Sequence, residues 1–265
     1  MPSADDPFDR VGNRFPRPED EVARYSAHRA STPPALDGRL EADCWRTAPR
    51  SSRFVDLVSG EAVPLDTRGA VLWDDEHLYL GFWLEEPDVR ATLTERDSHI
   101  WLDDDVEVFI AGPDAYYELE INAFDTVYEV LFVWDDAEGV DRSFPGAAPF
   151  DGVGFAHPRG PRTGFWGFDL PGLRTAVHVD GTLNDPSDRD RGWRVEVAIP
   201  WAGLAPLAGG RSLPPQDGDE WRISLSRFNT RKDRDSGGWA WSPHGVWDSH
   251  IPELFPIVRF TTDPV

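Results

Sequence analysis

From Asp105 the chain reads DVEVFI, a two-residue period that sends Val106, Val108 and Ile110 to one side of a strand and Glu107 to the other. Comparable runs recur between turn signals: RGAVLW, HLYLGFWL, VRATLT, YYELEINA, TVYEVLFVW, RTAVHV, WRVEVAI, EWRISLSRF and IVRFT. They predict about ten or more short strands and no long helix. WDDEH between Trp73 and His77 reads as a tight hairpin connection, and VDGTLN near Asp180 as an Asp-Gly turn. PWAGL, opened by Pro200, suits one helical turn. The stretch from about Asp135 to Gly172, rich in Gly, Pro and Phe, is too long for a routine connection and reads as a functional or packing loop. Short strands without βαβ alternation imply an all-β fold, an antiparallel β-sandwich of jelly-roll or immunoglobulin-like type. Residues 1–32, polar and proline-containing, read as an extended or disordered arm, and residues 33–265 as the sandwich domain.

Parity sorts the polar side chains. Glu118, Glu120 and Asn122 share one strand face while Tyr117, Leu119 and Ile121 share the other. In EWRISLSRF, Arg222, Ser224 and Ser226 oppose Ile223, Leu225 and Arg227. Polar faces of this kind belong either to a solvated sheet or to a hydrogen-bonding floor.

Composition narrows the partners. The formal net charge of −22 over 265 residues repels nucleic acid and anionic membranes, whereas a neutral ligand feels no such penalty. No apolar run approaches the roughly 18 residues of a membrane span. The opening segment carries no basic-then-apolar leader, so the expectation for the chain as written is cytoplasmic. A single cysteine, Cys44, excludes an internal disulfide.

The chain has twelve tryptophans, more than a core of this size usually needs. Trp45, Trp193, Trp201 and Trp221 adjoin strand-periodic residues and read as core. Trp101 precedes DVEVFI, and Trp239, Trp241 and Trp247 fall in the loop-like GGWAWSPHGVWDSH. A sugar offers flat C–H faces and a rim of hydroxyls, so indoles beside carboxylates suit it. Two rivals stand beside non-catalytic binding. One is a glycoside hydrolase pairing Glu107 with Glu118 or Glu120. The other is a haem-binding relative of the same sandwich, for which the chain holds only Met1 and no C-x-x-C-H site. His244 and His250 are the histidines that a loop metal site would use.

Taken in order, ALDGRLEADCW, AVLWDDEHLYLGFWLEEPD, IWLDDDVEVFI, YYELEINA, GWRVEVAIPWAGL, GDEWRISLSRFN and the closing WSP…PELFPIVRF resemble the family 9 carbohydrate-binding modules and their stand-alone relatives. The resemblance covers about Pro34 to Thr261. It implies a β-sandwich that holds a neutral mono- or oligosaccharide of glucose or xylose type between two tryptophans, matched here by Trp101 and Trp247. It places a sugar-contacting glutamate at Glu107. A sugar-contacting arginine of those modules falls near Glu120, a reversal of charge, for which Arg227 or Arg222 would compensate. Relatives are often extracellular, and their structural calcium would find oxygen ligands here in Glu86, Asp88 and Asp97.

Overall fold

A computed structural model describes residues 21–151, 156–230 and 237–263. Its strands are β1 (Arg24–Arg29), β2 (Val55–Asp56), β3 (Thr67–Trp73), β4 (His77–Glu85), β5 (Asp105–Ala111), β6 (Ala115–Asn122) and β7 (Val127–Trp134). They continue with β8 (Ala148–Asp151), β9 (Arg162–Trp166), β10 (Arg174–Asp180), β11 (Gly192–Pro200), β12 (Glu220–Asn229), β13 (Gly237–Ala240) and β14 (Ile257–Thr261). All are hydrogen-bonded in the order β10-β11-β4-β3-β1-β14-β12-β5-β6-β7-β9-β8, with β13 and β2 branching from β12. Pairing is antiparallel except where β1 runs parallel to β14 and β3.

The sheet folds over on itself as a sandwich because each strand has one apolar face. Val71, Leu80, Phe82, Val195 and Val197 from one half meet Val106, Val108, Leu119, Leu131, Ile223 and Leu225 from the other in a continuous buried core. Each half therefore also has an outer face. On the β3-β4-β11 half that face is covered over Leu72 and Tyr79 by the segment ending in α1 (Asp43–Thr47), whose Trp45 packs with Leu40, Leu72 and Tyr79, and a smaller pocket remains beside Arg68, Trp83 and Arg194. Gly38 allows the approach: its φ is +74°, and a Cβ there would lie 2.7 Å from the Val177 carbonyl carbon. On the β12-β5-β6-β7-β9 half the outer face forms a cleft.

Several local expectations need correction. Residues 24–29, assigned to an arm, form β1 in the middle of the sheet, with Arg24 opposite Ile257 and His28 opposite Leu72. Residues 1–20 of that arm lie outside the described residues. VRATLT forms no strand. Its backbone donors go to side chains instead: Val89 N–H to Asp190, Ala91 N–H to Asn184, and Thr92 and Leu93 N–H to Asp103. The stretch 135–172 contains β8 and β9. The Asp-Gly pair near Asp180 opens a longer connection, since β11 begins only at Gly192. WDDEH is a tight connection, with Asp74 Oδ1 accepting from the Glu76 and His77 N–H groups. Trp201–Leu204 makes the one-turn helix, continued by α2 (Ala205–Ala208).

Candidate functional site

The cleft is built on alternation. On β5 the outward set is Asp105, Glu107 and Phe109; on β6 it is Tyr116, Glu118, Glu120 and Asn122; on β7 it includes Tyr128. Glu107 stands directly opposite Glu120 on one side and Ser226 on the other, while Glu120 stands opposite Tyr128. The floor is thus carboxylate beside carboxylate, with an aromatic ring at its margin.

Its walls come from loops. Trp101 sits on a single 3-10 turn, Ile100–Leu102, and its ring stacks on His99 at 4.6 Å and meets the edges of Tyr128 at 5.2 Å and Trp166 at 5.8 Å. Trp247, in the loop before β14, meets Phe228 edge-on at 5.6 Å. These are the two tryptophans that remain exposed, at 38% and 50%. Both line one cleft of about 430 Å³ together with Glu107, Glu118, Glu120, Tyr128, Phe150, Trp166, Asp248, Ser249 and His250. Apolar walls with a few convergent polar groups are the usual form of a small-molecule site.

The three consecutive aspartates have three different environments. Asp103 accepts from the Thr92 and Leu93 N–H groups, the Thr92 hydroxyl and Asn122 Nδ2, pinning the 89–94 loop. These donors outweigh its burial and hold its carboxyl below the ordinary value. Asp104 accepts from the Thr230 N–H and hydroxyl, fastening the end of β12. Asp105 is fully buried, and neither of its oxygens has a hydrogen bond of ordinary geometry among the described residues, although the Phe228 backbone N–H is near enough to pull its pKa down against burial.

Electrostatically the floor is crowded. Burial pushes Glu107 up to about 7, opposed by the hydrogen bond from the Ser226 hydroxyl and by the nearby Ser249 hydroxyl. Burial, then the charges of neighbouring carboxylates, raise Asp105, Glu118 and Glu120 well above the ordinary carboxylate range. Arg162 offsets part of this for Glu118. His250 Nε2 lies 3.7 Å from Glu118, but burial followed by the charge of Arg162 lowers its pKa to about 3, so the ring is neutral at pH 7 and supplies no counter-charge.

The cleft gathers four of the six ligand residues expected from sequence: Trp101, Glu107, Glu120 and Trp247. The other two are elsewhere. Arg227 projects from the opposite face of β12, as its parity with Ile223 and Leu225 requires. There it is 1% exposed, pairs with Glu86 at 2.6 Å, donates to Thr67 and stacks over Trp239, so it cannot neutralise the floor. Arg222, though on the outward face, donates to the Glu253 and Phe255 carbonyls. Trp241 is a core residue packed on Tyr25. Of the expected calcium ligands, Glu86 is engaged by Arg227 and Asn229, Asp88 pairs with Arg90, and Asp97 accepts from the Glu129 N–H. Among the described residues, the acids whose donor atoms do converge are Asp105, Glu107 and Glu120. His244 engages the Asp248 carbonyl and Ser224, and His250 engages Tyr116; Met1 lies outside the described residues.

Tyr128, Phe150, Trp166, Asp248 and Ser249 are cleft residues that the sequence reading did not single out. The density of aromatics in GFWGF and the WDSH tetrapeptide beside Trp247 were the available signals.

Residues 36–144 match the carbohydrate family 9 binding domain-like family. Three solved structures share the fold. One is a candidate carbohydrate-binding protein from Bacteroides uniformis ATCC 8492, with TM-score 0.61 and 16% identity over 90% of this chain and 99% of that one. Another is a family 9 carbohydrate-binding module from Caldicellulosiruptor kristjanssonii in complex with cellotriose, with TM-score 0.52 and 14% identity over 91% and 95%. The same organism's family 9 module in complex with glucose gives TM-score 0.50 and 14% identity over 91% and 97%. Over residues 36–144 the chain is similar to that family, and its fold as a whole is similar to the β-sandwich of these structures. No curated protein matches the chain. No helix among the described residues is long and apolar enough to cross a membrane.

Proposed function

We propose that the protein binds a neutral mono- or oligosaccharide in the cleft between Trp101 and Trp247 and releases it unchanged. The observation that carries this reading is that the two exposed indoles, far apart in sequence, flank one carboxylate floor. A pyranose would place a C–H face on an indole and donate its hydroxyls to Glu107 and Glu120. The cellotriose and glucose held by the family 9 structures of the same fold support a glucose-type ligand. Among the described residues no arginine lines the cleft, so uronic acids would meet like charge and bind less well than neutral sugars.

Glu107's raised pKa also fits a glycosidase acid, and that rival deserves its own test. Geometry favours binding. Glu107 and Glu120 rise side by side from adjacent strands, whereas catalytic carboxylates flank a glycosidic bond from opposite sides. Calorimetric titration with glucose, xylose, cello-oligosaccharides and a uronate-containing oligosaccharide tests the proposal, with product analysis of each mixture. Weak saturable binding of neutral sugars without turnover is expected. Hydrolysis abolished by Glu107→Gln, or a preference for uronates, would overturn it.

A further inference from the structure

We propose that Asp105, Glu107 and Glu120 form a divalent-cation site, suited to calcium, in the floor of the cleft. Asp105 and Glu107 are two residues apart on one face of β5, and Glu120 stands opposite Glu107 on β6. One carboxylate oxygen from each lies within 4.8 Å of those of the other two. That is the span across a calcium ion with bonds of about 2.4 Å.

Crowding alone would not make a site, because a chain this acidic places carboxylates together often. The independent observation is what these carboxylates lack. Both oxygens of Asp105 and Oε2 of Glu120 are buried without a hydrogen bond of ordinary geometry among the described residues, in side chains 0% and 2% exposed. Buried charged groups are ordinarily paired or coordinated to a metal. The same fold satisfies such a group nearby: Asp103 has four donors shared over both of its oxygens. Glu118, also facing outward on β6, feels the charge of Arg162. By contrast, among the described residues the neighbouring charges that act most strongly on Asp105, Glu107 and Glu120 are all carboxylates.

The donor set selects the ion. Oxygen-only ligands favour hard cations over zinc or copper, and three carboxylates match a dication. Calcium accepts irregular and bidentate carboxylate geometry, whereas magnesium demands a near-ideal octahedron and retains several waters. Glu107 and Glu120 line the cleft, which gives the ion its entry path, and Asp105 closes the set from beneath. On the carbohydrate reading, sugar hydroxyls would complete the coordination shell. The cation site itself does not require that reading.

The test uses the full chain, stripped with a chelator, dialysed and titrated calorimetrically with calcium chloride at about pH 7.5, where the floor is ionised on calcium binding. Terbium supplies a second readout, since Trp101 and Tyr128 beside the cluster would sensitise its emission. Expected are one calcium per chain, terbium emission quenched by calcium, and roughly tenfold or greater weakening of both in the isosteric Asp105→Asn and in Glu120→Gln. Melting curves in chelator establish that the variants fold. No calcium binding by the wild type, or binding equal in wild type and both variants, would overturn the proposal. Glucose and cellotriose titrations with calcium and with chelator separate the two readings. Sugar bound without any calcium binding sinks the cation site alone, while calcium lost in the variants with no sugar bound by any form sinks the carbohydrate reading alone.

Discussion

The two outer faces of the sandwich each bury a glutamate, and they treat it differently. On the β3-β4-β11 half, Glu196 is 1% exposed and accepts from Trp45 Nε1 at 2.7 Å and from the Asp37 and Gly38 N–H groups at 3.0 and 3.1 Å. On the β12-β5-β6-β7-β9 half, Glu120 is 2% exposed with one oxygen unpartnered, and the indoles above it leave a cleft. One face uses its tryptophan to close over the acid and the other uses its tryptophans to stand around it. A covered face with satisfied acceptors adds stability, while an open face with unsatisfied acceptors is available for a ligand.

That contrast is broken most severely by Trp45→Ala. The substitution removes a ring that is 1% exposed and strands an oxygen of Glu196, so a loss of about 3–5 kcal/mol is expected in denaturant unfolding. Sugar affinity of the folded fraction should be unchanged. A variant with wild-type stability would show that the covered face contributes little.

The next effect is on pH. Glu107's folded value, about 7, lies above its ordinary value of 4.5, so its contribution to stability is complete below pH 4.5 and is lost as pH rises through 7. Asp105, Glu118 and Glu120 are raised and act in the same direction. Asp74 and Asp103 are shifted down and lose stability only at more acidic pH, outside this window. His250, whose value burial lowers from 6.5 to about 3, acts oppositely by gaining stability as pH rises toward 6.5, so in chelator the net fall in unfolding free energy should be concentrated between pH 6.5 and pH 8, by a few kcal/mol at most. Calcium would flatten that slope by favouring the ionised floor. A flat profile in chelator would show that the carboxylates are not forced together.

Third comes Trp247→Ala, the converse of the first substitution. With half of its surface exposed, the side chain should matter little to folding and should cost about 2 kcal/mol of sugar affinity, roughly thirtyfold. Equal affinity in wild type and variant would remove Trp247 from the site.

How much of this could be read from sequence depends on whether the governing contact is local. The alternation in DVEVFI and YYELEINA is local, so the shared face of Glu107 and Glu120 and the core side of Leu119 and Ile121 were legible. β1 was not, because RYSAHR is a strand by virtue of its parallel pairing with residues 257–261 at the other end of the chain. VRATLT misled for the opposite reason: its residues favour strand, but side chains of Asp103, Asn184 and Asp190 took its backbone donors. The same parity that located the floor also places Arg227 on the other side of β12, so its assignment to the ligand set conflicted with information already in the sequence. Trp166 could not be placed because β9 is short and lies within a stretch that looks like loop.

The smallest expected effect discriminates between the tryptophans of one segment. Trp241 and Trp247 are six residues apart in GGWAWSPHGVWDSH, yet Trp241 is 7% exposed against Tyr25 and Trp247 projects into the cleft. Trp241→Phe keeps an aromatic ring in the core and forfeits part of the contact with Tyr25. It also removes an indole N–H that has no acceptor among the described residues, which offsets part of the loss. A stability change below about 1.5 kcal/mol is expected. Sugar affinity should not move, because the ring lines no part of the cleft. The paired measurement is an equilibrium unfolding curve and a calorimetric titration on the same preparation. If Trp241→Phe weakened sugar binding as much as Trp247→Ala does, the boundary drawn here between core and cleft within this loop would be wrong.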